Sequence, residues 1–268
     1  VFVGVSFFCT SVRENSGRPL HEHEAWLRDL MGRGIRVTTI EADQVQVSAE
    51  AKTTWPEYVA FENELRRRQQ EQGLDITLQQ ALVLCARASA QNPCTLAGGF
   101  DPFELDEPPL GGQLSSMLDT LLYTLVKLFL DDTTPERIGL LDQAYFQGEP
   151  MAMPEFAWDG TWHQLVRFQD TAVGETFEDE LDRWAAMQIH RKSLLVYRPM
   201  LDNLWMMILI PRFVRVFTAL LAHGNKRQQA ERSDYFGALE QAEMYLGTNG
   251  LLLNRIGPVF TGHLMQLL

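Results

Sequence analysis

The sequence predicts an α/β protein: a parallel sheet within residues 1–173, with a helical region over 174–268 packed on it, one continuous domain being the alternative. Two observations predict this. A strand, loop, helix, strand succession fills the first fifty residues, which is how a right-handed βαβ unit opens. Beyond residue 175 the apolar positions recur at helical spacing with no strand pattern among them.

Taken in order, residues 1–8, "VFVGVSFF", are β-branched and aromatic and read as a buried strand. The polar loop "CTSVRENSGRPL" follows, then "HEHEAWLRDLMGRG" as a helix with acids in its first turn and Gly34 as its C-cap. "IRVTTIEADQVQV", residues 35–47, is the second strand. Ligands of parallel sheets bind beyond the carboxyl ends of the strands, which puts Cys9, Thr10, Ser11, Glu41 and Asp43 at the mouth of a site. Helices are expected over 54–72, with Pro56 near the start, and over 76–91. The Pro-, Gly- and acid-rich stretch 92–112 reads as a flexible loop or lid. A strongly apolar helix covers 113–130 and stops at Asp131–Asp132, and another restarts with Thr134 as N-cap and Pro135 at its first position. Three helices, 176–198, 200–222 and 228–246, and a Gly-punctuated tail complete the chain.

Composition narrows the function classes. An apolar fraction of 46% and a charged fraction of 22% are those of a globular protein. Cys9, Cys85 and Cys94 form no CxxC pair, so a reducing cytosol is expected, and no leader pattern is present. The longest apolar run, residues 194–222, is interrupted by Arg198, Asp202, Arg212 and Arg215, which reads as a core helix rather than a membrane span. A net charge of −12 weighs against nucleic acid as a partner, but Arg66, Arg67 and Arg68 make a local basic patch. That patch reads equally as a salt-bridged surface helix.

Several groupings carry candidate chemistry. In "LLDQAYFQGEPMAM", residues 140–153, Tyr145 and Glu149 are four apart, so one helical turn would aim a phenol and a carboxylate into the same space. The alternatives are a helix end beside a solvated acid, or a non-enzymatic, Rossmann-like nucleotide- or partner-binding module in which Tyr145 and Glu149 merely pack. The loop "CTSVRENSG" offers hydroxyls and a thiol at a strand end, or simply serves its turn. His21 and His23 suit a solvated N-terminal turn better than a metal. His190 lies on an apolar helix face as a core histidine or, alternatively, the axial ligand of a haem-dependent aromatic oxygenase. Neither GxGxxG nor GxxxxGK[ST] is present, and no cofactor is called for.

The strand "VGVS" followed by a hydroxyl, the basic helix, and Tyr-x-x-x-Glu beside a proline about 135 residues later resemble the plan of the tRNA-dependent cyclodipeptide synthases. The similarity covers residues 1–173 and is sharpest at "AYFQGEP". It implies a Rossmann-like fold resembling class I aminoacyl-tRNA synthetase catalytic domains. It also implies aminoacyl transfer from two aminoacyl-tRNAs to form a cyclic dipeptide, with arginyl-tRNA as a substrate in the divergent fungal branch. On that resemblance Ser11 or Thr10 is the nucleophile, Tyr145 holds the substrate amine and Glu149 binds it and relays protons. Gly4, Ser6, Glu41, Asp43, Trp162 and His163 would line the substrate, and Arg66, Arg67 and Arg68 would take tRNA phosphates. The family's later Tyr-His pair is replaced here by Trp162–His163 or Arg167–Phe168.

Overall fold

Thr54 closes a short strand and opens a long helix: its Oγ1 accepts the Glu57 N–H at 3.4 Å, and Pro56 supplies a pre-set φ in the first turn. This helix, α1 (Trp55–Gln72), ends at Gly73, whose φ of +82° is open to glycine at little cost. The chain re-enters helix at once as α2 (Leu74–Ser89). The computed structural model describes residues 43–101, 103–104, 106–131, 145–190, 193–195, 198–242, 245–246 and 250–268. The remaining α-helices among the described residues are α3 (Gln113–Asp131), α4 (Trp162–Ala172), α5 (Glu175–His190), α6 (Met200–Gly224), α7 (Arg232–Ala242) and α8 (Gly250–Leu267).

Helix makes up 72% of the structure, and among the described residues the strands form two small antiparallel hairpins. In the first, β1 (Gln44–Gln46) pairs with β2 (Lys52–Thr54), Val45 opposite Thr53. In the second, β3 (Pro150–Met153) pairs with β4 (Trp158–Thr161), Met151 opposite Gly160. The expected α/β architecture with a parallel, Rossmann-like sheet is therefore overturned. The reason is visible at the end of the predicted strand 35–47. Val47 and Ser48 donate to the Ala51 carbonyl at 2.9 and 3.2 Å, and Ser48 Oγ accepts the Ala51 N–H at 3.1 Å. That tight turn folds the chain back on itself, whereas a parallel partner requires a crossover of a dozen or more residues. The predicted strand 1–8, the helix 21–34 and the helix opened by Thr134 as far as residue 144 lie outside the described residues.

Helix α6 organises the core. It is apolar nearly all round, as a fully enclosed helix must be, and α2, α3, α4, α7 and α8 pack on it. Its most apolar window is 83% buried inside the protein. Phe213 and Phe217 stack at 4.3 Å between centroids, and Phe129 of α3 meets both edge-on. One hydrophobic cluster runs from Val45 to Leu264.

Two further differences from the sequence expectations have local causes. The tail is the helix α8, tied to α6 by Trp205 Nε1 donating to Thr261 Oγ1 at 3.1 Å. The presumed lid at 92–112 is pinned down along its described residues. Glu57 accepts the Leu96 and Ala97 N–H groups at 2.8 and 2.6 Å, and Gln80 Nε2 donates to the Glu104 and Glu107 carbonyls, both at 3.1 Å. The buried Gln80 and the half-buried Glu57 thus give this loop backbone partners that it cannot find within itself.

Candidate functional site, a caged carboxylate facing two arginine pairs

A capping box sets the site's first wall. Thr161 Oγ1 accepts the Gln164 N–H at 3.3 Å, and Gln164 Oε1 accepts the Thr161 N–H at 2.7 Å, so α4 starts at Trp162. The Trp162 side chain is 2% exposed, and its indole N–H reaches both oxygens of Asp119 on α3 at 3.2 Å. Tyr145 donates its hydroxyl to Asp119 Oδ2. The two donor rings belong to an aromatic cluster. Tyr123 lies 4.9 Å from Tyr145 and 5.5 Å from Trp162, and His163 lies 5.9 Å from Tyr145. Burial, then the hydrogen bond to Asp119 and its charge, raise the Tyr145 phenol well above its ordinary value. It therefore stays protonated as a donor at neutral pH.

Asp119 has two neutral donors and no ion pair among the described residues. It lines a cavity of about 430 Å³ together with Asp75, Asp170, Glu178, Arg212 and Arg215. The two arginines are three apart on α6 and so share a face. Arg212 clamps Asp75 through Nε at 3.2 Å and Nη2 at 2.7 Å; Arg215 clamps Glu178 through the same two nitrogens at 2.8 and 2.5 Å. Burial alone would lower the Arg215 pKa, but the Glu178 hydrogen bond and the charges of Glu178, Asp75 and Asp182 outweigh it and the net shift is upward. Both forks use the Nε–Nη2 edge, which leaves each Nη1 without a protein partner among the described residues.

The sequence-predicted residues divide clearly. Tyr145 and Trp162 meet at Asp119, and the exposed His163 lies beside the Tyr145 ring. Glu149 does not join them: the turn closes with Gly148 N–H on the Tyr145 carbonyl at 3.2 Å, Gly148 takes φ +70°, and the exposed glutamate starts away from the helix. The four-residue stacking of phenol and carboxylate therefore fails. Asp43 is exposed ahead of β1, its carbonyl taking the Trp55 N–H, rather than beyond a parallel strand. Arg66 pairs with Glu62 at 2.5 Å, and Arg67 bridges Glu64 and Glu71 at 2.6 and 2.5 Å. Arg68 is buried. Gly4, Ser6, Thr10, Ser11, Glu41 and the side chain of His190, the last residue of α5, lie outside the described residues.

Sequence reasoning missed Asp119, Asp170 and the role of Arg212 and Arg215. The available signal was a lone acid in the apolar run "MLDTLLYTLVKLFL", four residues before Tyr123, and arginines spaced three apart in the most apolar helix. No cluster of three or more His, Cys, Asp or Glu suited to a metal ion occurs among the described residues. No protein-family model, curated protein or solved structure matches this chain.

Proposed function

We propose that this chain binds a small organic ligand through an ammonium group seated on Asp119. The observation that carries this is the Asp119 carboxylate itself, which faces a cavity, is oriented by two neutral donors and has no cation beside it among the described residues. A half-buried carboxylate gains from pairing with a cation. Trp162 and Tyr145 fix its direction in advance, so little ordering remains to be done on binding.

The α-ammonium of an aminoacyl group belongs to this ligand class, and aminoacyl transfer between two aminoacyl-tRNAs is the second reading. Tyr145 supports it, as the residue assigned to the substrate amine touches the cavity's carboxylate. Thermal unfolding with a panel of primary amines tests the first reading. Stabilisation of the wild type that disappears in Asp119→Asn supports it, and a panel without effect on the wild type overturns it. Mass spectrometry for a new cyclic dipeptide in medium from expressing cells tests the second.

A further inference from the structure

The cavity's charged lining is of two kinds. Asp119 on α3 and the exposed Asp170 on α4 have no ion pair among the described residues. Arg212 and Arg215 on α6 are each paired by a two-point clamp from α2 or α5. Leu122, Val166 and Val173 supply apolar wall as well.

We infer that the ligand is a zwitterion of the α-amino-acid kind, its carboxylate on the free Nη1 groups of Arg212 and Arg215 and its ammonium on Asp119. This rests on the ammonium reading above and adds the second charge. Three features argue for it. A guanidinium has five N–H donors, and a carboxylate on the Nε–Nη2 edge leaves the Nη1 pair available. Residues three apart on a helix rise by about 4.5 Å, so Arg212 and Arg215 present neighbouring guanidiniums to the same cavity. The Asp75 and Glu178 clamps also hold each guanidinium in one orientation, so the ligand need not order it. Purely structural ion pairs between helices would leave the half-buried, unpaired Asp119 on the same cavity without a role. The volume of about 430 Å³ falls within the ordinary range for small-molecule sites.

The test is calorimetric titration of the full chain with the common α-amino acids, each beside its methyl ester and its decarboxylated amine. The ester and the amine keep the ammonium and lose the carboxylate. The expected result is at least one amino acid that binds tenfold or more tighter than its own ester and amine. Arg212→Gln and Arg215→Gln should each erase that preference while still binding the ester, and Asp119→Asn should lose all three compounds. The wild-type comparison needs no variant, so a folding defect in either arginine mutant leaves the test intact. Equal affinity for acid, ester and amine would overturn the zwitterion while the ammonium reading stood. Binding by simple amines but by no amino acid would do the same. A wild type that bound none of the three would remove both.

Discussion

Replacing Arg68 with methionine should unfold this protein far more readily than replacing its neighbour Arg67, although both belong to one basic triplet. Arg68 is 6% exposed, and its guanidinium donates to Glu64, to Gln80 and to the carbonyls of Phe103 and Phe100 at 2.9–3.0 Å. The group also sits 5.3 Å from the centre of the Phe100 ring. Methionine keeps much of the stem's volume but leaves both carbonyls without their donor, whereas Gln80 Oε1 keeps the Gln72 Nε2 donor at 2.9 Å. Each buried group stranded in this way costs about 1–3 kcal/mol. Some regain water as the 92–112 segment loosens, so the net loss should be about 3–4 kcal/mol. With a urea slope of about 2–3 kcal/mol per molar, the midpoint should fall by roughly 1–2 M. Arg67 contacts Glu64 and Glu71 on the open helix surface, so Arg67→Ala should leave the midpoint where it is. Limited proteolysis gives a second readout, since Arg68→Met should open cleavage within 92–112. A midpoint within about 0.3 M of wild type, below the shift that the unsatisfied groups require, would refute the argument.

Three further outcomes follow from the packing and the charges. Burial and the neighbouring Glu178 raise the Asp182 pKa above its unfolded value of 3.8 despite Arg215 and the Leu74 N–H, so the native state favours its protonated form. Its stabilising contribution is complete below about pH 3.8 and is lost as pH rises through the folded value. Asp182→Asn should therefore raise the melting temperature at pH 7, with the gain vanishing in acid. A Cβ added at Gly99 would fall 2.7 Å from Leu84 Cγ in the core, so Gly99→Ala should cost about 1–3 kcal/mol in denaturant unfolding. A cost that is unchanged in a Leu84→Ala background would show that this overlap is not its source. Thr161→Ala removes the capping box below Trp162 and should cost about 0.5–2 kcal/mol. Quenching of tryptophan fluorescence by acrylamide reports whether the indole also loses its shelter.

The helices were the most legible part of the chain. Expectations over 54–72, 76–91, 113–130 and 200–222 meet α1, α2, α3 and α6 within two residues at each end, because Pro56, Gly73, Pro199 and the apolar spacing act within a turn of where they stand. Elsewhere local signals misled. Gly257, read as punctuation, lies inside α8, where a Cβ would meet Asp202 Oδ1 of α6 at 3.5 Å. Gly148 ended a turn that the Tyr145–Glu149 spacing needed to continue. The resemblance to a family with a parallel sheet depended on the partner of "IRVTTIEADQVQV", and its described end pairs with residues only a few positions further on.

The sequence alone determined where most helices begin and end, and that α6 is apolar enough to need covering, since both follow from backbone chemistry and periodicity over a few residues. Only the tertiary structure decided the direction of strand pairing, the burial of Arg68 beside the exposure of Arg67, and the meeting of Asp119 with Tyr145 and Trp162 across 26 and 43 residues of chain. Such contacts have no local signature. A charge in an apolar run looks the same on paper whether it turns to solvent, to a backbone carbonyl or to a cavity, and the packing of helices that are distant in sequence makes the choice.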